Sequence, residues 1–186
     1  MDVTVTPIDG VLLIKPKVFG DARGFFLETW QADRYAAAGV SGPFVQDNHS
    51  CSTRGVLRGI HFQKTRPQGK LISVSLGKVF DVAVDLRPDS PTFGKWYGAE
   101  LSGENHHQLW LPPGMGHAFL VLSETAHFHY KCTEYYVPGD EGAIIWNDPD
   151  LAIAWPLAVA GVDLPVLSAK DAVASTMKEW TAHHPD

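Results

Sequence analysis

Cysteine is scarce in this chain: Cys51 and Cys132 are the only two among 186 residues. They lie far apart and outside any metal-type spacing, so reduced thiols in the cytoplasm are the expectation. Long apolar runs are missing as well. No segment approaches the roughly 20 residues that span a bilayer. The opening MDVTVTPIDGVLLIKPKVFGD has no basic start followed by a long apolar stretch, so no membrane partner is expected. Positive charge is in deficit. Fifteen Lys and Arg against 21 Asp and Glu leave a net −6, which argues against nucleic acid as the main partner. A small phosphorylated ligand remains compatible, because it needs only a local group of cations. No repeat, low-complexity tract or Pro/Gly/Ser linker divides the chain, and residues 1–186 read as a single domain.

What is present is aromatic and β-forming. Six Trp and nine Phe exceed the large aromatic surface a domain of this size needs, although core filling is the expectation for any one of them. Good helix formers from Glu28 to Ala38 stop at Gly39 and predict a helix. From there to Pro156 the chain reads as strands: 71–76, 79–86, 107–111, 118–122, 127–136 and 142–146. Pro- and Gly-rich turns such as Pro112-Pro113-Gly114 and Pro138-Gly139-Asp140 separate them. A second helical stretch, Lys170 to Trp180, is expected behind a Ser168 cap. The fold class is mostly β, a sandwich or barrel with short peripheral helices.

Two segments narrow this to a cupin-like double-stranded β-helix, or jelly-roll barrel. Gly55-Val56-Leu57-Arg58-Gly59-Ile60-His61 places a His six residues after a Gly, and Pro112-Pro113-Gly114-Met115-Gly116-His117 fits Pro-x-Gly-x-x-His. Both resemble the half-motifs of the cupin superfamily. Metal-binding cupins continue the first motif with a second His and then a Glu. Here Gln63 holds the second ligand position, and Lys64 and Arg66 follow. Two imidazoles, His61 and His117, with Lys70 nearby, make a poor cation site, so no metal is expected. In His127-Phe128-His129 the alternation of a strand puts both imidazoles on one outer face and turns Phe128, Tyr130 and Cys132 inward. His106-His107 reads as a turn, and His183-His184 as a frayed tail.

These segments and their neighbours closely resemble the dTDP-4-dehydrorhamnose 3,5-epimerase family from about Val5 to Asp171. The matching stretches are 20–28 (GDARGFFLE), 44–50 (FVQDNHS), 55–63 (GVLRGIHFQ), 68–70 (QGK), 79–87 (VFDVAVDLR), 130–133 (YKCT) and 168–171 (SAKD). The resemblance implies a jelly-roll barrel, a homodimer and no cofactor. It also implies a dTDP-4-keto-6-deoxyhexose substrate epimerised at C3 and C5.

Epimerisation beside a ketone needs a base, an acid on the opposite face and a stabiliser for the enolate oxygen. An imidazole, with an ordinary pKa of about 6.5, suits the base, and the resemblance implies His61. Asp171 would orient it by accepting a hydrogen bond, with Asp81 as a reserve candidate because a carboxylate inside an apolar strand needs a partner. Tyr130 would be the acid and Lys70 the enolate stabiliser. Carried over in the same way, Arg23 and Arg58 would grip the diphosphate and nucleotide. Glu28, Gln46 and Asn48 would hydrogen-bond the nucleotide, and Phe26 would pack on a ring. His117, Glu141 and Lys170 match further binding positions.

One spacing conflicts with a regular strand. Arg58 and His61 are three apart, an odd offset that points them to opposite faces. Either a bulge at Gly59 re-aims one of them, or Arg58 reaches across a dimer interface. Four other readings compete with the 3,5-epimerase: an epimerase acting at one carbon, a ketoisomerase, a metal-dependent cupin oxygenase and a noncatalytic sugar-nucleotide binder.

Overall fold

In the computed structural model, which describes residues 1–183, period-two stretches become strands and the Gly- and Pro-rich stretches become turns. In chain order the elements are β1 (Asp2–Val5), β2 (Leu12–Lys15), β3 (Val18–Asp21), β4 (Gly24–Leu27), α1 (Ala32–Ala37), β5 (Gln46–Thr53) and β6 (Leu57–Gln63). There follow β7 (Lys70–Leu76), β8 (Lys78–Asp85), β9 (Trp96–Ser102), β10 (Gln108–Leu111), β11 (Met115–Val121), β12 (Thr125–Cys132) and β13 (Glu141–Ala143). The chain closes with α2 (Leu157–Ala160), a 3₁₀ turn (Asp171–Val173) and α3 (Met177–His183).

All the named strands pair antiparallel, in two facing sheets and one separate hairpin. The sheets run β1-β2-β10-β7-β12-β5 and β13-β6-β11-β8-β9, and β3 pairs only with β4. This is the expected cupin-like jelly roll. Its interior is filled by inward residues of both sheets, among them Ile72, Val74, Val79, Leu109, Phe119 and Phe128. The residues of β8 that alternate with these, Val82 and Val84, face a second cluster on the outer side. There Leu151, Ile153, Met177, Trp155 and Trp180 of the C-terminal segment cover the sheet. Being covered on both faces, β8 reads as a nearly unbroken apolar run. All six Trp pack into the outer clusters rather than the cavity described below, which agrees with core filling.

The helices differ from expectation for local reasons. The first begins at Ala32, not Glu28, because the Gln31 side chain accepts from the Arg34 N–H and caps it there. Six residues cannot hold a helix alone. Tyr35 docks this one, buried against Trp30 and Leu71, with its hydroxyl 2.8 Å from Gln108 Oε1. Burial pushes the Tyr35 phenol up to about 12. The expected helix from Lys170 to Trp180 is broken in two. Ser168 Oγ accepts from the Asp171 N–H at 3.2 Å and starts only the 3₁₀ turn, because Ser175 then bridges to Ile144. Thr176 and Glu179 form a reciprocal capping box that opens α3. The expected strand 127–136 ends early at Cys132. The helix α3 includes His183, which replaces half of the expected frayed tail; His184 lies outside the described residues. No helix among the described residues is long and apolar enough to cross a membrane.

Candidate active site

The conflict between Arg58 and His61 is resolved by a bulge. His61 pairs with His117 and Arg58 with Phe119, so three steps along β6 match two along β11. The extra residue turns both side chains onto one cavity. Gly59 carries the irregularity at φ 121°, a left-handed value that favours glycine. A Cβ there would also collide with the Ala118 side chain and the His117 carbonyl, so any other residue must displace its neighbours.

The cavity between the sheets encloses about 480 Å³. His61 stands on its β6 wall, and its Nε2 lies 2.6 Å from Oδ1 of buried Asp171. The 3₁₀ turn after Ser168 delivers that carboxylate. On the other side of the ring, Nδ1 is 4.0 Å from Glu141 Oε1, and the second Glu141 oxygen is bonded to Lys170 Nζ at 2.5 Å. This contact raises the Lys170 pKa.

Lys70 and Tyr130 line the cavity from the opposing sheet, on β7 and β12. The Lys70 ammonium sits 5.9 Å from the centre of the Tyr130 ring. Burial lowers the Lys70 pKa, against the opposing pull of Cys132, Asp81 and Glu141. Burial raises that of the Tyr130 phenol, which therefore stays protonated well past neutrality. An imidazole on one sheet facing a phenol and an ammonium on the other can remove a proton from one face of a carbon and return one to the opposite face.

The cavity floor is aromatic, with Phe119 and Phe128 stacked at 4.1 Å. Beside them buried His117 places Nε2 2.9 Å from Asp81 Oδ2, while burial keeps its pKa below the ordinary value. Asp81 is thus the partner of His117, and its reserve role beside His61 is withdrawn. Its Oδ1 is buried without a hydrogen-bond partner.

The remaining expected residues divide. His117, Glu141, Lys170 and Arg58 line the cavity, with Arg58 at the exposed mouth holding Ser52 Oγ at 3.0 and 3.1 Å. Gln46 and Asn48 border an adjoining recess together with Tyr130 and Tyr136. Arg23, Phe26 and Glu28 are not brought to the cavity of their own chain. Arg23 and Phe26 lie on the separate hairpin, where Arg23 is paired with Asp21, and Glu28 just beyond it is paired with Arg34. His127 and His129 face outward as expected, and the third outer imidazole, His49, bonds the first at 3.0 Å and stacks on the second. Among the described residues no three His, Cys, Asp or Glu side chains are placed to hold a metal ion.

The family model for dTDP-4-dehydrorhamnose 3,5-epimerase matches residues 5–179. The chain belongs to the dTDP-4-dehydrorhamnose 3,5-epimerase family. It is 54% identical over 172 residues to the dTDP-4-dehydrorhamnose 3,5-epimerase of Pseudomonas aeruginosa, covering 92% of this chain and 93% of that one. A relative of the same name from Neisseria gonorrhoeae is 51% identical over 176 residues, or 95% of this chain, which spans about half (52%) of that relative's length. The crystal structure of a dTDP-6-deoxy-D-glucose-3,5-epimerase from Legionella pneumophila Philadelphia 1, in complex with dTDP-4-keto-L-rhamnose, is similar at a TM-score of 0.92. The two are 51% identical, over 98% of this chain and 95% of that one.

Sequence reasoning about this epimerase-family chain missed two residues of the site. Tyr136, half-exposed beyond the end of β12, forms part of the cavity wall. Expecting the strand to continue through it hid its place in a loop. In the sequence Gln63 stands in the matching stretch 55–63 and at a metal-ligand position without a role of its own, and in the structure it is a buried amide bonded to three backbone groups. Its one signal was an amide at an otherwise apolar strand end, which needs partners once buried.

Proposed function

We propose that this chain epimerises dTDP-4-keto-6-deoxy-D-glucose at C3 and C5 to dTDP-4-keto-L-rhamnose, without metal or organic cofactor. One observation carries the roles: the Asp171-paired His61 on one sheet faces Tyr130 and Lys70 on the other across one cavity. Asp171 accepts a hydrogen bond from one ring nitrogen and leaves the other to take the proton. His61 removes the hydrogen beside the ketone, and the C–H electron pair moves into the enolate with negative charge on O4. The Lys70 ammonium stabilises that oxygen, as a compact charge in a site shielded from water can. Tyr130 then donates its phenolic proton to the carbon from the opposite face, which inverts the centre. Solvent then takes the proton from His61 and returns one to Tyr130, and a second round at the other carbon adjacent to the ketone completes the reaction.

Arg58, Lys170 and His117 supply positive or proton-donating contacts for the diphosphate and sugar, with Glu141, Gln46 and Asn48 as further polar partners. The chain works as a homodimer in this reading. The β3–β4 hairpin exposes Phe25 and Phe26 at 62% and 70% and packs little on its own barrel, so a second copy's cavity can receive Arg23, Phe26 and Glu28. We assign residues 1–186 to a single domain acting in the cytoplasm, with no nucleic-acid or membrane partner.

The test is incubation with dTDP-4-keto-6-deoxyglucose in deuterated water followed by NMR of the sugar protons. Deuterium at C3 and C5, insensitive to chelator, is the expected result. Label at one carbon would make it a single-site epimerase, a shifted carbonyl a ketoisomerase, and loss in chelator a metal enzyme. Binding without exchange would leave only a sugar-nucleotide binder.

A further inference from the structure

The segment after β12 leaves the sheet, yet side-chain amides hold four of its backbone groups. Gln68 Nε2 donates to the Glu134 carbonyl at 2.8 Å, and the Tyr136 N–H donates to Gln46 Oε1 at 2.9 Å. Gln63 bonds the backbone on both sides of Tyr136. Its Nε2 donates to the Tyr135 carbonyl at 3.2 Å and its Oε1 accepts from the Val137 N–H at 2.7 Å. Three glutamines from three different places in the chain therefore replace the ladder bonds that Glu134–Val137 lacks. All converge on the backbone around Tyr136.

We propose that Gln63, with Gln46 and Gln68, is a positioning residue that sets Tyr136 as a wall of the cavity and thereby fixes the affinity for the nucleotide end of the substrate. The chemistry selects an amide. Only a side chain offering donor and acceptor together can bond a carbonyl and an N–H on either side of the same residue. Gln63 is 7% exposed, so each of its bonds is shielded from competing water. The same Nε2 also donates to the Arg66 carbonyl at 2.8 Å, which ties the loop leading to Lys70 into the clamp. Gln63 lies two residues beyond His61 on β6, so one strand presents the imidazole and braces the aromatic wall. An aromatic ring held rigidly at the mouth can stack on a nucleobase without a large ordering cost on binding.

This inference rests on the reading of the cavity as a dTDP-sugar site, and its test separates the two. Gln63→Met keeps the side-chain volume and removes every bond of the clamp's centre. Kd for dTDP, KM and kcat would be measured for the wild type, Gln63→Met, Tyr136→Ala and the double variant. Gln63→Met should weaken dTDP binding and raise KM about tenfold while kcat changes less than about threefold. The double variant should be no worse than Tyr136→Ala alone, because a misplaced ring and a missing ring lose the same contact. Amide hydrogen exchange of 134–137 should accelerate at least tenfold in Gln63→Met, with the rest of the barrel unchanged. Wild-type binding of dTDP with an unaltered Gln63→Met, additive losses in the double variant, or a fall in kcat at constant KM would each overturn the positioning role. Exchange accelerated across the whole barrel would make Gln63 a general stability residue and overturn it too. A wild type that neither binds dTDP nor exchanges substrate protons would overturn the functional reading first.

Discussion

His61 Nε2 and Asp171 Oδ1 stand 2.6 Å apart although 110 residues separate them in the chain. The carboxylate is 2% exposed and reaches the imidazole from a three-residue 3₁₀ turn at the far end of the sequence. If this contact orients the base, Asp171→Asn should preserve the fold and lower kcat about a hundredfold or more. His61→Ala should abolish deuterium wash-in while dTDP affinity stays within about threefold. Titration calorimetry beside the exchange assay checks both, and full turnover in His61→Ala would remove the proposed base.

Tyr130 faces His61 from the other sheet. Tyr130→Phe should retain proton abstraction, seen as deuterium entering recovered substrate, while inverted product falls by about two orders of magnitude. NMR time courses resolve the two signals. Equal losses in both would mean that the phenol is not the acid.

Lys70 supplies a pH dependence with a definite sign. Burial favours the neutral amine and lowers its pKa. If the ammonium stabilises the enolate, activity is lost as pH rises through that lowered value, so the alkaline limb of kcat should fall before pH 10.5. Lys70→Arg should shift that limb upward, whatever its absolute rate. Lys70→Ala should lower kcat about a hundredfold or more and flatten the limb. An unmoved alkaline limb in Lys70→Arg would assign the titration to another group.

Gly59 carries the bulge that turns Arg58 and His61 to one cavity. Gly59→Ala adds a Cβ against Ala118 and the His117 carbonyl at a positive φ, so it combines overpacking with backbone strain. A loss of about 3 kcal/mol is expected, or roughly 6–12 °C in melting temperature for a domain of this size. Activity should fall further than stability explains, because relief of the clash re-aims His61. Thermal melts and kinetics on the folded fraction distinguish the two effects.

Asp85 sets acid stability at the end of β8. Burial alone would raise its pKa, but hydrogen bonds from Arg87, Ser90 and Thr92 override it and hold the carboxyl at about 2. A folded value below the ordinary 3.8 stabilises above that value and is lost as pH falls through about 2. The contribution is about 2 kcal/mol. Asp85→Asn should therefore be less stable than wild type at pH 5–7, with the deficit shrinking between about pH 4 and 2. Urea unfolding at several pH values measures it; a deficit that persists unchanged to pH 2 would contradict the ionic origin.

Sequence by itself determined what depends on near neighbours. Alternation along single strands placed His127 and His129 outward and Phe128 and Tyr130 inward, because pleating ties facing to residue parity. Glycine and proline punctuation marked the turns, and the order of quoted segments marked the family. Parity failed at Gly59, where an extra residue reverses facing, and only pairing with β11 shows which way. Helix propensity failed at Lys170–Trp180, where a bridge from Ser175 to Ile144 outweighs the formers around it. The resemblance already named Asp171 as the partner of His61, whereas the tertiary structure alone decided that Asp81 serves His117 and which amides brace Tyr136. It also showed that Arg23, Phe26 and Glu28 stand apart from their own cavity. These are contacts between residues far apart in the chain, made when two sheets close on each other, and no local spacing encodes them.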